Sequence, residues 1–231
     1  MKSLSLTLRV LSHLLSYPDA TLRAHLPELR TALHDERVLT FGRLTELDTL
    51  IDRLRSRRPF DVEADFVDLF DRGRGTALHL FEHVHGDSRD RGPAMVDLVK
   101  TYEQAGLFLA PEELPDHLSV VLQFASTQPP EQARAFLGEF AHIVQVIFSA
   151  LLKRQSPYAS VLAALLDLAG EKTQAVPVPP EPEIDESWEE PLAFGGCSTQ
   201  GQASPGQPQP IQIVKRAPAA ATPQNLPGAS A

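Results

Sequence analysis

Cysteine, aromatic residues and long apolar runs are all scarce in this sequence of 231 residues. The single cysteine, Cys197, cannot form an internal disulfide, which excludes a fold held together by disulfides within the chain. Aromatic residues make up only 6%, and the abundance of leucine and alanine favours helices packed on helices over β-sheets. Arg9 and His13 interrupt the leucine-rich N-terminal segment, and no signal-peptide cleavage site follows it. No other stretch approaches the uninterrupted apolar length that a membrane span needs. We therefore predict a soluble, cytoplasmic protein with no direct membrane insertion.

Positive charge is scarce too, because 21 Lys and Arg residues accompany 30 Asp and Glu residues and the formal net charge is −9. Contacts with phosphate groups require a basic surface, so this balance argues against nucleic acid as the main partner. A basic peptide is the better electrostatic complement.

Motifs of common enzyme classes are absent as well. The sequence contains neither a G-x-S-x-G nucleophile elbow nor a P-loop, and Arg72-Gly73-Arg74-Gly75 is too short to cradle a phosphate and is interpreted as a flexible turn. Cys197 lies far in sequence from every histidine, which makes it a poor candidate for a nucleophile.

The composition changes near Gly170, and 11 of the 20 prolines lie beyond it. We predict one all-α, multi-helix bundle domain over residues 1–170 and a long, Pro-rich disordered tail over residues 171–231. Within the tail, residues 184–194 form an acidic motif around Trp188. Apolar residues at helical spacing mark the predicted helices: Leu4 to Leu15, Leu22 to Leu33, Phe41 to Leu54, Val62 to Phe70, Met95 to Tyr102, Leu114 to Leu122, Phe136 to Leu151 and Val161 to Leu166.

The most unusual segment has the sequence LHLFEHVHGDSRDRGPAM and runs from Leu78 to Met95. His79, Glu82 and His83 match H-x-x-E-H, a pattern in which two histidines one helical turn apart bind zinc and the glutamate activates water. Gly86 shortens the predicted helix, and no downstream carboxylate is marked as a third ligand. Both features weigh against a zinc site, so a zinc-dependent hydrolase that uses His79, Glu82 and His83 is only the alternative hypothesis.

Longer segments resemble the nitrate reductase delta-subunit family, also called NarJ-type molybdenum-cofactor assembly chaperones. The resemblance is carried by DFVDLFDRGRGTALHLFEHVHGDSRDRGPAMVDL from Asp65, YEQAGL from Tyr102, ELPDHL from Glu113 and DESWEEPLAF from Asp185. It implies an all-helical chaperone of the redox-enzyme maturation type that is not an enzyme and has no cofactor of its own. Its implied partner is the apo catalytic subunit of nitrate reductase, bound through its N-terminal peptide before cofactor insertion and membrane docking. Molybdenum cofactor biosynthesis proteins are further candidate partners.

A groove between helices suits an amphipathic peptide, with apolar residues supplying affinity and charged rims setting orientation. We predict partner-binding residues on an acidic rim of the fourth helix, on the loop that follows it and in the tail. They are Asp65, Asp68, Phe70, Asp71, Glu82, His83, His85, Asp87, Arg89, Arg91 and Trp188.

Overall fold

Helices supply the regular secondary structure of this protein, for which a computed structural model describes residues 3–86 and 88–178. Within those ranges there are nine α-helices, one short 3-10 helix from Arg74 to Thr76 and a single isolated β-bridge between His79 and His117. The helices are α1 (Ser5–Leu14), α2 (Ala20–Glu36), α3 (Phe41–Ser56), α4 (Pro59–Phe70), α5 (Leu80–His85), α6 (Arg91–Gln104), α7 (Leu118–Thr127), α8 (Pro130–Lys153) and α9 (Ala159–Ala169). The predicted all-α class is confirmed.

Side chains and backbone geometry explain where several helices begin and end. The Asp19 carboxylate accepts a hydrogen bond from the amide of Leu22 at 2.7 Å and starts α2 directly after Pro18. The Thr40 hydroxyl caps α3 in the same way. Gly170 ends α9 in the left-handed conformation, with φ +88°, which glycine adopts without steric cost.

The predicted helix from Leu114 to Leu122 begins later than its apolar pattern indicates. Helix α7 starts at Leu118, and Leu114 is exposed in the connection before it. Backbone hydrogen bonds between this connection and the segment from Leu78 to Leu80 hold Asp116 and His117 outside any helix. Tertiary pairing thus overrides the local pattern.

Helix α8 lies centrally in the bundle and packs against α9, α7, α5 and the 3-10 helix. On the other side, α1 packs against α7 and α2, while α3 contacts both α2 and α9. By length and composition alone α8 could cross a membrane, although Glu139 and His142 interrupt its apolar run. Its apolar surface is accounted for by the core, since residues such as Leu137, Val144 and Leu151 are buried against the neighbouring helices.

An aromatic cluster fixes α4 on the bundle. The ring of Phe70 lies 4.8 Å from Phe66 and 5.1 Å from Tyr158, and Phe66 also contacts Tyr17 edge-on at 6.0 Å. After α4 the chain turns at Gly73, where a Cβ atom would lie only 2.6 Å from the Thr76 hydroxyl. The turn expected to be flexible is therefore tightly packed at Gly73.

Two phenylalanines of α4, one buried and one exposed, test this packing. Phe70 is 4% exposed and Phe60 is 78% exposed. Replacing Phe70 by alanine should lower the free energy of unfolding by about 3–4 kcal/mol because it leaves a cavity among aromatic rings. The control Phe60→Ala should change it by less than about 0.5 kcal/mol. Urea unfolding followed by circular dichroism measures both, and equal effects would contradict the described packing.

Candidate functional site

Three of the segments that carry the family resemblance, those around Leu78, Tyr102 and Asp116, meet at one place in the fold. The amide of Leu118 donates to the carbonyl of Leu78 at 2.8 Å, and the amide of Leu80 donates to the carbonyl of Asp116 at 3.0 Å. These bonds form the bridge between His79 and His117. The Tyr102 hydroxyl then donates to the carbonyl of Pro115 at 2.8 Å. Residues 78–86, residues 88–91, Tyr102 and residues 113–118 thus form one motif cluster.

The side chain of Asp116 is at the centre of the motif cluster and has no exposed surface. The amide of Phe81 donates to Oδ2 at 3.1 Å, and Nδ1 of His79 lies 3.4 Å from Oδ1. The Arg91 guanidinium is 3.7 Å from Oδ2. A buried carboxylate is costly without such partners, so Asp116 ties the starts of α5 and α6 to the chain entering α7.

His117 is a half-buried polar residue of the cluster. Burial, reinforced by the neighbouring His79 ring at 5.0 Å and partly offset by Asp116, lowers the pKa of His117 to about 4. The imidazole is consequently neutral near pH 7, and its Nδ1 accepts hydrogen bonds from the amide and hydroxyl of Ser119 at 3.3 and 2.6 Å. Its role is to cap α7.

The zinc-hydrolase hypothesis required His79, Glu82 and His83 to share one face of a helix. His79 instead precedes α5 with an extended backbone, and its ring faces Asp116. Nε2 of His83 donates to the carbonyl of Ala77 at 2.8 Å. Over residues 3–86 and 88–178, no group of three or more His, Cys, Asp or Glu side chains could hold a metal ion. The predicted ligand geometry was therefore wrong.

The predicted acidic rim on α4 is partly neutralised by arginines. Asp65 pairs with Arg57, and Arg53 lies 3.7 Å from the same carboxylate. Asp68 is exposed and forms a loose pair with Arg72 at 3.6 Å. The side chain of Phe70 is buried in the aromatic cluster, so it can affect a bound partner only by holding α4 in place.

The predicted loop residues differ in their surroundings. Arg89 is exposed, whereas Glu82 and His85 are half-buried, with the His85 ring 5.8 Å from that of Phe81. His83 is hydrogen-bonded to the carbonyl of Ala77, and Arg91 lies beside the carboxylate of Asp116. Asp87 and Trp188 lie outside the described residues, so their predicted contacts stay predictions.

Sequence reasoning missed a cavity of about 410 Å³ next to the motif cluster. It lies between α1, the connection from α6 to α7, and α7 itself. Residues that line it include Arg9, His13, Leu107, Phe108, Glu113 and Phe124. Phe108 is 81% exposed. The sequence does contain a signal for this apolar edge. Leu107-Phe108-Leu109 is an apolar run directly after Gly106, which follows the end of α6, so the run is not part of a helix that could bury it.

The described bundle is similar to a crystal structure from Archaeoglobus fulgidus assigned as a redox enzyme maturation protein. The TM-score is 0.52, and the match covers 74% of this chain and 96% of that chain at 20% sequence identity. The fold is therefore that of this class of maturation proteins.

Sequence similarity identifies the family. The nitrate reductase delta subunit family profile matches residues 16–164. NarJ of Escherichia coli K12, a nitrate reductase molybdenum cofactor assembly chaperone, is 43% identical over 160 residues, which make up 69% of this chain and 68% of NarJ. NarW of the same strain is 39% identical over 163 residues, 71% of this chain and 68% of NarW. The chain belongs to the nitrate reductase delta subunit family, as its motifs indicated.

Removal of the central carboxylate tests the motif cluster. The substitution Asp116→Ala leaves the amide of Phe81 and the Arg91 guanidinium without their partner, so the free energy of unfolding should fall by about 3 kcal/mol. The exposed Asp68→Ala, which also loses an arginine partner, should cost less than about 0.5 kcal/mol. Chemical unfolding at pH 7 measures both. A cost for Asp116→Ala no larger than that for Asp68→Ala would contradict the central role of the carboxylate.

The lowered pKa of His117 predicts a pH dependence of stability. Its folded pKa is about 4 and its ordinary value is 6.5, so the unfolded chain binds the proton first as the pH falls. The contribution of this residue is therefore present above pH 6.5 and is lost between pH 6.5 and 4. His117→Asn retains a capping acceptor but does not titrate. Unfolding free energies across this pH range should depend less steeply on pH in the variant, by up to about 1.4 kcal/mol per pH unit. Identical slopes would contradict the assignment.

Proposed function

We propose that this protein is an assembly chaperone that acts in the cytoplasm on the apo catalytic subunit of nitrate reductase, before that subunit receives its molybdenum cofactor and docks at the membrane. Membership of the nitrate reductase delta subunit family carries the proposal, together with the 43% identity to a chaperone of that function. The bundle also has the fold of a redox enzyme maturation protein. The chaperone binds and releases its client and is not an enzyme.

The client segment in this proposal is the N-terminal peptide of the catalytic subunit, bound as an amphipathic helix. The cavity of about 410 Å³ supports this choice, because its lining is mainly apolar and lies open beside α1 and α7. Phe108 and the less exposed Leu107 offer apolar surface at its edge. One apolar face of a helix can bury its side chains there while its polar face stays in water.

The motif cluster contributes to this site by positioning one wall of the cavity. Tyr102 lines the cavity and also donates to the carbonyl of Pro115, the residue before the buried Asp116. Asp116 is in turn held by the starts of α5 and α6. We therefore assign the unusual segment around residues 78–91 a positioning role for the wall formed by residues 107–113.

Direct contacts from the predicted rim and loop remain part of the proposal. Asp71 and Arg89 are exposed, and Glu82 and His85 are half-buried, so their side chains are available to a bound subunit beyond its N-terminal peptide. Molybdenum cofactor biosynthesis proteins are proposed as additional, transient partners of the same complex.

A charge placed at the edge of the cavity tests peptide binding. Phe108→Asp removes an exposed aromatic anchor, so the affinity for a synthetic peptide from the N-terminus of the catalytic subunit should fall at least about tenfold. Phe41 is a matched control, because it is 85% exposed on α3 and does not line this cavity. Phe41→Asp should leave the affinity unchanged. Titration calorimetry gives both dissociation constants.

Two results would argue against this site. If both aspartate variants bind as tightly as the original protein, the peptide does not use the cavity at Phe108. If the unsubstituted protein does not bind the peptide at all, the proposed client segment is wrong. Circular dichroism confirms that each variant retains its helices.

A further inference from the structure

A second cavity, of about 510 Å³, adjoins the first along α1. His13 lines both cavities, and Ser16 and Tyr17 continue from it into the second one. Arg9 and His13 lie one turn apart on the exposed side of α1, and Ser16 and Tyr17 continue from them beyond the end of that helix. The two cavities therefore form one groove along α1.

The two ends of this groove carry different charge. At the Tyr17 end, Asp19 and Glu28 both line the cavity, and the Tyr17 hydroxyl donates to Glu63 of α4 at 3.2 Å. At the opposite end, Arg9 and Glu113 are one positive and one negative charge, which cancel formally. The Tyr17 end is thus the acidic end of the groove.

The surroundings of Tyr17 provide a second indication of that acidic field. Partial desolvation, then Glu63, Asp19 and Asp71 all raise the pKa of Tyr17, because each disfavours a negative charge on the phenol oxygen. Asp71 belongs to the rim that follows α4. The acidic residues of α4 and α2 therefore act on the same end of the groove.

We propose that the charges of the groove fix the direction of the bound client helix, with its positively charged N-terminal end over Tyr17 and its C-terminal end between Arg9 and Phe108. A helix carries partial positive charge at its N-terminus and partial negative charge at its C-terminus, and a free amino group or basic residues near the start add to the former. Asp19, Glu28 and Glu63 attract that end. The inference rests on the proposed function and adds the direction in which the peptide lies.

Spin-labelled peptides test the direction. A nitroxide is placed on a cysteine next to either the first or the last residue of the catalytic-subunit peptide, whose amino group stays free. Each peptide is added to the full-length, ¹⁵N-labelled protein, and line broadening of backbone amides is recorded. The label near the first residue should broaden amides of residues 17–29, and the label near the last residue should broaden those of residues 107–113.

Charge reversal at the acidic end tests the cause of the direction. Glu28→Lys with Glu63→Lys should weaken peptide binding about fivefold in low salt, with a smaller effect at high salt. The matched control, Asp35→Lys with Glu139→Lys, makes the same change of net charge at exposed positions that line neither cavity, and it should bind normally. Acetylating the peptide's amino group should weaken binding to the original protein but not to the Glu28, Glu63 variant.

The possible results separate the two proposals. If neither labelled peptide binds, the proposed function fails and the inference fails with it. Binding with the two broadening patterns exchanged would overturn the direction alone, and equal effects of the two charge-reversed pairs would overturn its electrostatic cause. Concentration-dependent broadening of the groove amides without peptide would assign the groove to a second copy of this chain and overturn the inference.

Discussion

The carboxylate of Asp116 has no contact with solvent, and it is stable there only while the amide of Phe81, the ring of His79 and the guanidinium of Arg91 surround it. These three partners belong to the end of the α4–α5 connection, the start of α5 and the start of α6. One buried charge therefore couples segments that are about 25 to 40 residues apart in sequence. The bundle around it could be built from many leucine patterns, but this junction requires particular polar residues.

The same junction has consequences for the groove along α1. Asp116 and Pro115 hold the end of the α6–α7 connection, and Tyr102 joins that connection to the end of α6. Residues 107–109 lie between these two fixed points and expose apolar side chains at the edge of the cavity. A chaperone must offer apolar surface to a client without losing its own fold, and a rigid frame on either side of a short apolar run meets both requirements. His79 and Arg91 of the unusual segment serve this frame through their contacts with Asp116.

The acidic residues on α4 and directly after it face two different parts of the molecule. Arg57, directly after α3, and Arg53 within it pair with Asp65 on α4. Glu63 and Asp71 of the same region instead act on Tyr17. The acidic rim predicted on α4 is thus divided between an ion-paired part and a part directed to the groove. Sequence position alone could not make that division, because neighbouring aspartates one helical turn apart differ only in what packs opposite them.

Periodic apolar residues were enough to predict eight of the nine α-helices in the described ranges, the exception being the short α5, because a helix must bury one face whatever its neighbours are. Gly170 ends α9 through its backbone geometry alone. The long motifs likewise sufficed to identify the family. The late start of α7, the separation of His79 from His83, the burial of Asp116 and the shared groove at His13 were decided only by tertiary structure. Each depends on a pairing between distant segments, and a one-dimensional pattern contains no information on which buried partner a polar side chain will find.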